Sequence, residues 1–325
     1  MIADDRRAWL EQWLGAELRG ARFTLTPASE DASFRRYFRA TLDDGRSFVA
    51  MDAPPEKEDC RPFVRIARLL HDAGVHAPAV HAHDLGAGFL LLSDLGTRTY
   101  LNELNGANAG PLMADATDAL IRWQLATRAG ELPPYDAALL RREMNLFPEW
   151  YVARHRRKNL STQQARTLET VFALLIESAL AQPTVYVHRD YMPRNLMVSE
   201  PNPGVLDFQD AVMGPITYDV VSLLRDAFIS WEEERVLDWS VRYWEKAQRA
   251  GLQVAADFGE FWRAFEWMGL QRHLKVLGIF ARINYRDGKP KYLGDTPRFL
   301  GYAHAVAKRY RELAPLHRLL EEVEA

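Results

Sequence analysis

Apolar positions in the opening stretch fall at helical intervals. Trp9, Leu10, Trp13, Leu14 and Leu18 share one face, which predicts an amphipathic helix over 6–18. The period then changes. Phe23 to Thr26, Tyr37 to Leu42 and Ser47 to Met51 are β-rich runs, and Asp43-Asp44-Gly45 joins the last two as a hairpin. Between the first two, Ser29 to Ser33 is a small, polar loop. Phe63, Ile66, Ala67, Leu69 and Leu70 return to helical spacing within 59–73. Val75 to His83 and Phe89 to Leu92 read as two more strands, with Gly86-Ala87-Gly88 as the turn between them. Beyond Leu95-Gly96, long amphipathic helices dominate, over 111–129, 163–181, 217–229, 232–250, 257–284 and 299–322, interrupted by one β-rich patch from Val185 to Phe208. The pattern predicts a two-lobed α+β fold. Residues 1–95 form a small antiparallel β lobe with one conspicuous helix, and 96–325 form a larger, mainly helical lobe. Ligand sites favour the cleft between such lobes.

Composition narrows the function classes. The 325-residue chain is 48% hydrophobic and 26% charged, with a formal net charge of −3. That balance gives no support for nucleic-acid binding, which needs a clearly basic surface. One cysteine, Cys60, excludes an internal disulfide framework and a cysteine-based zinc cluster. The start carries Asp4, Asp5, Arg6 and Arg7 without an apolar run, and no segment reaches the roughly 18 apolar residues of a membrane span. A cytoplasmic protein is expected. GxxxxGK[ST], HExxH, GxSxG and CxxC motifs are absent.

The chemistry-bearing stretch is His188-Arg189-Asp190-Tyr191-Met192-Pro193-Arg194-Asn195, followed by Asp207-Phe208-Gln209-Asp210. An apolar strand leads into a polar loop. A second strand, the turn Pro201-Asn202-Pro203-Gly204 and a third strand then lead to an acidic exit. This order predicts that Asp190, Asn195 and Asp207 converge at one mouth. Phosphoryl transfer needs such a set: one carboxylate to take the acceptor's proton, and a carboxylate with an amide to hold Mg²⁺ against the phosphates.

These residues resemble the aminoglycoside phosphotransferase family, small-molecule kinases built on the protein-kinase fold. With Gly214-Pro215-Ile216-Thr217-Tyr218-Asp219, the resemblance covers nearly the whole chain. It implies ATP and Mg²⁺ as cofactors, Asp190 as catalytic base, and Asn195 and Asp207 as metal ligands. His188 and Asp219 would support the catalytic loop. Ser29 to Ser33 would stand in for the phosphate-covering loop, Met51 would lie on the nucleotide-facing third strand, and Leu92-Ser93-Asp94-Leu95 would form the adenine hinge. The chain lacks the Asp-Leu-Lys, long activation segment and Ala-Pro-Glu of protein kinases, so a small-molecule acceptor is expected and Arg189 should be a local ion-pair partner. One departure stands out: Val49-Ala50-Met51-Asp52 has no lysine. Lys57, Arg36 or Arg61 would have to supply the cation, or the chain would be a non-catalytic pseudokinase.

For the acceptor, Arg263 to Arg311 holds 11 Lys and Arg against three acidic residues. A basic stretch suits an anionic acceptor and disfavours a polycationic aminoglycoside, although a solvated charged face would look the same. Within the family, 51–55, 188–198, 207–211 and 271–280 are most similar to bacterial kinases acting at C1 of N-acetylmuramate and N-acetylglucosamine. That resemblance implies transfer to the anomeric hydroxyl, giving a sugar α-1-phosphate in peptidoglycan recycling. Separately, a monomer is expected. Asp210, Trp231, Arg272 and Lys275 are the acceptor-site candidates. Trp231, Trp244, Trp262 and Trp267 either stack on the sugar or fill the core. A kinase of another metabolite, of aminoglycoside, choline or homoserine type, is the alternative.

Overall fold

A computed structural model of the chain describes residues 2–29 and 34–325. Helix α1 (Ile2–Glu17) is followed by strands β1 (Phe23–Ser29), β2 (Arg36–Leu42) and β3 (Ser47–Asp52), helix α2 (Arg61–Asp72), and strands β4 (Val80–Asp84) and β5 (Phe89–Ser93). The five strands form one antiparallel sheet in the order β1-β2-β3-β5-β4. Leu10 and Leu14 of α1 are fully buried against Phe38, Ala50, Phe89 and Leu91 on one sheet face. On the same side, buried Asp52 accepts from Arg6 Nε at 3.0 Å and Arg36 Nε at 2.9 Å. At the β4–β5 turn Gly88 has φ +76, and a Cβ there would lie 1.8 Å from the Ala53 carbonyl oxygen. Only glycine permits that approach.

Next come α3 (Tyr100–Glu103), α4 (Ala109–Leu125), α5 (Ala137–Met144), a π-helix over Phe147–His155, and α6 (Thr162–Leu180). The β-rich patch holds three short strands, β6 (Thr184–Val187), β7 (Leu196–Met197) and β8 (Gly204–Val205), and a fourth, β9 (Val212–Pro215), lies just beyond its expected end at Phe208. These pair as two separate ladders, β6 with β9 and β7 with β8. The chain continues through α7 (Tyr218–Leu224), α8 (Glu233–Arg249), α9 (Phe258–Asp287), α10 (Thr296–Arg309) and α11 (Ala314–Glu324).

The division into compact units differs from a break at Leu95-Gly96. One unit runs to Trp123 and includes Arg194–Asp210; the other is Gln124–Pro193 with Ala211–Ala325. The reason lies in the β7–β8 hairpin. Asn202 Nδ2 donates to Tyr100 Oη at 2.8 Å and Asp115 Oδ2 at 2.6 Å, and the Val205 amide donates to the His76 carbonyl at 2.8 Å. These bonds, with α3 and α4, tie the hairpin to the β-sheet unit.

Other departures from the sequence pattern have local causes. The predicted strand 75–83 shortens to Val80–Asp84 beyond Pro78, which lacks the N–H a ladder needs. The predicted helix 299–322 is two helices, broken where Tyr310 turns extended and Pro315 opens a new first turn. Helix α5 had no counterpart in the sequence pattern. Asp136 caps it by accepting the Leu139 N–H at 2.8 Å. The second unit's core gathers Phe147, Tyr151, Phe172, Leu270, Leu274, Leu277, Phe299 and Leu316 around α9.

Candidate active site

A cavity of about 300 Å³ opens in the first unit. One wall is the sheet face opposite α1, where Arg39, Val49 and Leu92 lie side by side across β2, β3 and β5. Ser93, Asp94, Leu95 and Gly96 edge it as the chain leaves β5, and Met197 and Leu206 line it from the β7–β8 hairpin. Phe63 of α2 and Phe208, also in the lining, pack with ring centroids 4.6 Å apart. Flat apolar walls beside a polar chain exit suit a heteroaromatic ring. Arg39 fixes that exit. Its Nε and Nη2 donate to the two Asp94 carboxylate oxygens at 2.6 and 3.0 Å, and Nη2 also reaches the Gly96 carbonyl at 2.9 Å. Burial alone would raise the Asp94 pKa. Hydrogen bonds from Arg39, Ser47 and the Gly96 N–H outweigh it, and the carboxyl titrates below its usual range.

The same cavity is lined by Asn195 and Asp207, whose side chains lie 3.3 Å apart, Asn195 Nδ2 to Asp207 Oδ2. Gln209 Nε2 donates to the other Asp207 oxygen at 2.9 Å. Asp207 has φ +62, a left-handed conformation that is rare for a non-glycine residue and concentrates at functional sites. No cluster of three His, Cys, Asp or Glu side chains able to hold a metal occurs among the described residues. Magnesium needs no such cage, because it takes one or two protein oxygens and completes its shell with phosphate and water. Asn195 and Asp207 fit: both carry hard oxygens, and a half-turn of the amide brings its oxygen toward the carboxylate.

In the second unit, Asp190 follows β6 in a tightly braced loop. Buried Asp219 accepts the backbone N–H of His188 at 2.6 Å and of Arg189 at 3.0 Å. The Asp190 N–H donates to His188 Nδ1 at 3.2 Å. Burial pushes the Asp219 carboxyl up to about 7, against the pull of those two donors and of Arg272. Arg189 has φ +76, and its Nη2 donates to Glu143 Oε1 at 2.6 Å. Glu143 also takes Lys275 Nζ at 2.9 Å, and Lys275 reaches Tyr218 Oη at 3.0 Å. Burial works to raise the Glu143 pKa, but Lys275, Arg189 and the Tyr135 hydroxyl bring it down to about 2.

The structure thus gathers Leu92, Ser93, Leu95, Asn195 and Asp207 around one cavity and holds Asp190 in a braced loop of the second unit. The remaining candidates sit elsewhere. Met51 lies on the same face of β3 as Val49, opposite Tyr37, but Val49 rather than Met51 lines the cavity. Ser29 ends β1, opposite Tyr37; its side chain, like Ser33, lies outside the described residues. Lys57 is exposed with Nζ 5.5 Å from the Phe34 ring, and Arg61 pairs with Asp59 at 2.9 Å in solvent. Arg36 is held by Asp52 on the α1 face. None of these three cations lines the cavity, whereas Arg39 and Arg194 do. Asp210 is exposed beside Gln209. Trp231 packs edge-on against Trp239 at 5.2 Å, under Arg235. Arg272 is 2% exposed, and its Nη1 is buried without a hydrogen-bond partner. Lys275, expected at a substrate carboxylate, instead meets an internal one, because Glu143 projects toward it from α5. Helix α5 lies between Pro133-Pro134 and Pro148, in a stretch whose Asp136 cap was the readable signal. Arg39 gave no such signal, since one strand arginine reads as an exposed edge residue.

The model of the phosphotransferase enzyme family (APH) matches residues 24–258. An N-acetylmuramate/N-acetylglucosamine kinase of Pseudomonas putida is 59% identical over 302 residues, covering 93% of this chain and 89% of its own. A kinase of the same name from Neisseria meningitidis serogroup B is 51% identical over 322 residues, covering 98% and 96%. Among solved structures, ADP-bound aminoglycoside phosphotransferase APH(2'')-Ib superposes with a TM-score of 0.60 at 15% identity, covering 91% of this chain and 97% of that one. That likeness shows the fold, which is the protein-kinase-like α+β fold expected from the sequence. The chain belongs to the APH phosphotransferase family and is an ATP-dependent kinase.

Proposed function

We propose that the chain transfers the γ-phosphate of ATP to the anomeric hydroxyl of N-acetylmuramate or N-acetylglucosamine, giving the sugar α-1-phosphate in peptidoglycan recycling. The observation that carries this reading is 59% identity, over 93% of the chain, to a kinase named for both sugars. Much of the basic run in α9 and α10 is neutralised within the chain, Lys275 by Glu143, Arg263 by Glu312, Arg286 by Asp287 and Arg309 by Glu266, so the reading does not lean on that run.

The adenine would lie between Val49, Leu92 and the β7–β8 hairpin, with Ser93, Asp94 and Leu95 at its polar edge. Asn195 and Asp207 would hold Mg²⁺, which when bound neutralises charge on the phosphates. Arg194 lines the same cavity one residue before Asn195, and we assign it the cation that the third strand lacks. Asp190 takes the proton of the acceptor hydroxyl. An anomeric hydroxyl is more acidic than an ordinary alcohol, so this base need act only late in the transfer. Asp210, Trp231 and Arg272 are proposed to bind the sugar. Because Arg272 Nη1 is buried, a lactyl carboxylate reaches it only if neighbouring side chains move aside. Lys275 is left out of this role.

The test is ADP release with N-acetylmuramate, N-acetylglucosamine, kanamycin, choline and homoserine as acceptors. The two N-acetyl sugars should exceed the others by at least about tenfold in kcat/KM. Preference for any of the other three would reject the reading.

A further inference from the structure

The second unit buries one carboxylate between two cations beside the Asp190 loop. Glu143 Oε1 accepts from Arg189 Nη2 at 2.6 Å and from Lys275 Nζ at 2.9 Å, and Oε2 accepts from the Tyr135 hydroxyl. The Arg189 guanidinium also lies 5.9 Å from the Tyr135 ring centroid, and Lys275 Nζ is 5.6 Å from the Tyr218 ring. Glu143 is 6% exposed and Lys275 8%, so this is an interior network rather than a surface ion pair.

Its position gives it a purpose. Arg189 sits at φ +76, a left-handed conformation that is strained for an arginine and kept only where surroundings over-determine it. Asp219 fixes the backbone of that residue, and Glu143 fixes the far end of its side chain. Asp190 is the next residue. In protein kinases the loop arginine is ordered by a phosphate added to the activation segment. This chain has no such segment, and a carboxylate built into α5 meets the arginine instead. We propose that Glu143 is a positioning residue that clamps Arg189, and through it Asp190, in working geometry without any covalent activation. Lys275 completes the clamp: with two cations on one carboxylate, Glu143 remains ionised down to about pH 2. The proposal rests on Asp190 as the base.

The test uses Glu143→Gln, and also Glu143→Gln/Lys275→Met, which removes the second buried cation so that the variant does not unfold from uncompensated charge. Each is assayed with ATP and the fastest acceptor of the panel above, beside Glu143→Asp and Asp190→Asn. Misplacement of a reacting group by about 1 Å can cost 100-fold. Both Gln-containing variants should therefore lose roughly 10- to 100-fold in kcat, with the KM for ATP within about twofold of wild type and part of kcat restored in Glu143→Asp. If the double variant keeps wild-type kcat while Asp190→Asn is inactive, the clamp falls and the base stands. Parallel losses in kcat, ATP binding and thermal midpoint would reduce Glu143 to a structural residue and overturn the proposal. Wild-type turnover by Asp190→Asn would overturn base and clamp together.

Discussion

Replacing Arg39 by alanine should loosen the polar edge of the cavity proposed to hold the nucleotide, at a cost the structure allows one to size. The substitution deletes two charge-assisted bonds to Asp94 and one to the Gly96 carbonyl. Stripping a buried charge of its partner costs about 3–5 kcal/mol. Here the Asp94 side chain is only 6% exposed, but it keeps the Gly96 N–H at 2.9 Å, and the space left by a 22% exposed arginine admits water. Both soften the loss, so the cost falls to the bottom of that range or just below it, about 2–3 kcal/mol, a drop of several degrees in thermal midpoint. Asp94 and Gly96 edge the cavity, so a mobile edge should also raise the KM for ATP roughly tenfold, equivalent to about 1.4 kcal/mol. The assay is ADP release at varied ATP, beside thermal melts of wild type, Arg39→Ala and Arg39→Ala/Asp94→Asn. The double variant removes the orphaned carboxylate and should recover about half the lost stability, while its ATP KM stays high. An Arg39→Ala protein with wild-type midpoint and wild-type ATP KM would refute the reasoning.

Three further outcomes follow from particular contacts. Arg194→Ala should raise the ATP KM at least about tenfold while leaving the thermal midpoint within about a degree, since this exposed side chain contributes charge rather than packing; an unchanged KM removes it from phosphate binding. Gly278→Ala should destabilise by about 3 kcal/mol or more, because a Cβ on α9 would sit 2.3 Å from the Leu146 carbonyl carbon and backbone cannot yield as a side chain does; an unchanged urea midpoint would contradict the close approach. Glu143, ordinarily near 4.5 and held at about 2, contributes stability that is complete above pH 4.5 and lost as pH falls through 2, about 3 kcal/mol in all. The drop in urea midpoint between pH 4.5 and 2 should accordingly be smaller in Glu143→Gln/Lys275→Met than in wild type, and equal drops would contradict the depressed pKa.

What could be read from sequence was what local pattern encodes. The sheet strands, the hairpin at Asp43-Asp44-Gly45, the turn at Gly88 and the long helix over α9 follow from alternation, turn chemistry and helical period acting over a few residues. The HxDxxxxN spacing and Asp207 named the chemistry for the same reason. What escaped depends on partners far along the chain. Lys275 looks like a surface cation until Glu143, 132 positions earlier in a helix bracketed by prolines, meets it. Arg36 looks available until Asp52 takes it across the β2–β3 ladder, while Arg39, three residues on and facing the other way, reaches the cavity. The inclusion of residues 194–210 in the first compact unit depends likewise on Asn202, which reaches back to Tyr100 and Asp115, pairings that no periodicity announces.

The central claim is the position of the transferred phosphate. Purified protein incubated with ATP, Mg²⁺ and N-acetylmuramate, then with N-acetylglucosamine, gives a product whose ³¹P signal and its coupling to the sugar protons identify the esterified carbon. The account requires phosphate at C1 in the α configuration, with none formed by Asp190→Asn. Phosphate on any other hydroxyl, or no sugar phosphate from either acceptor, would contradict it.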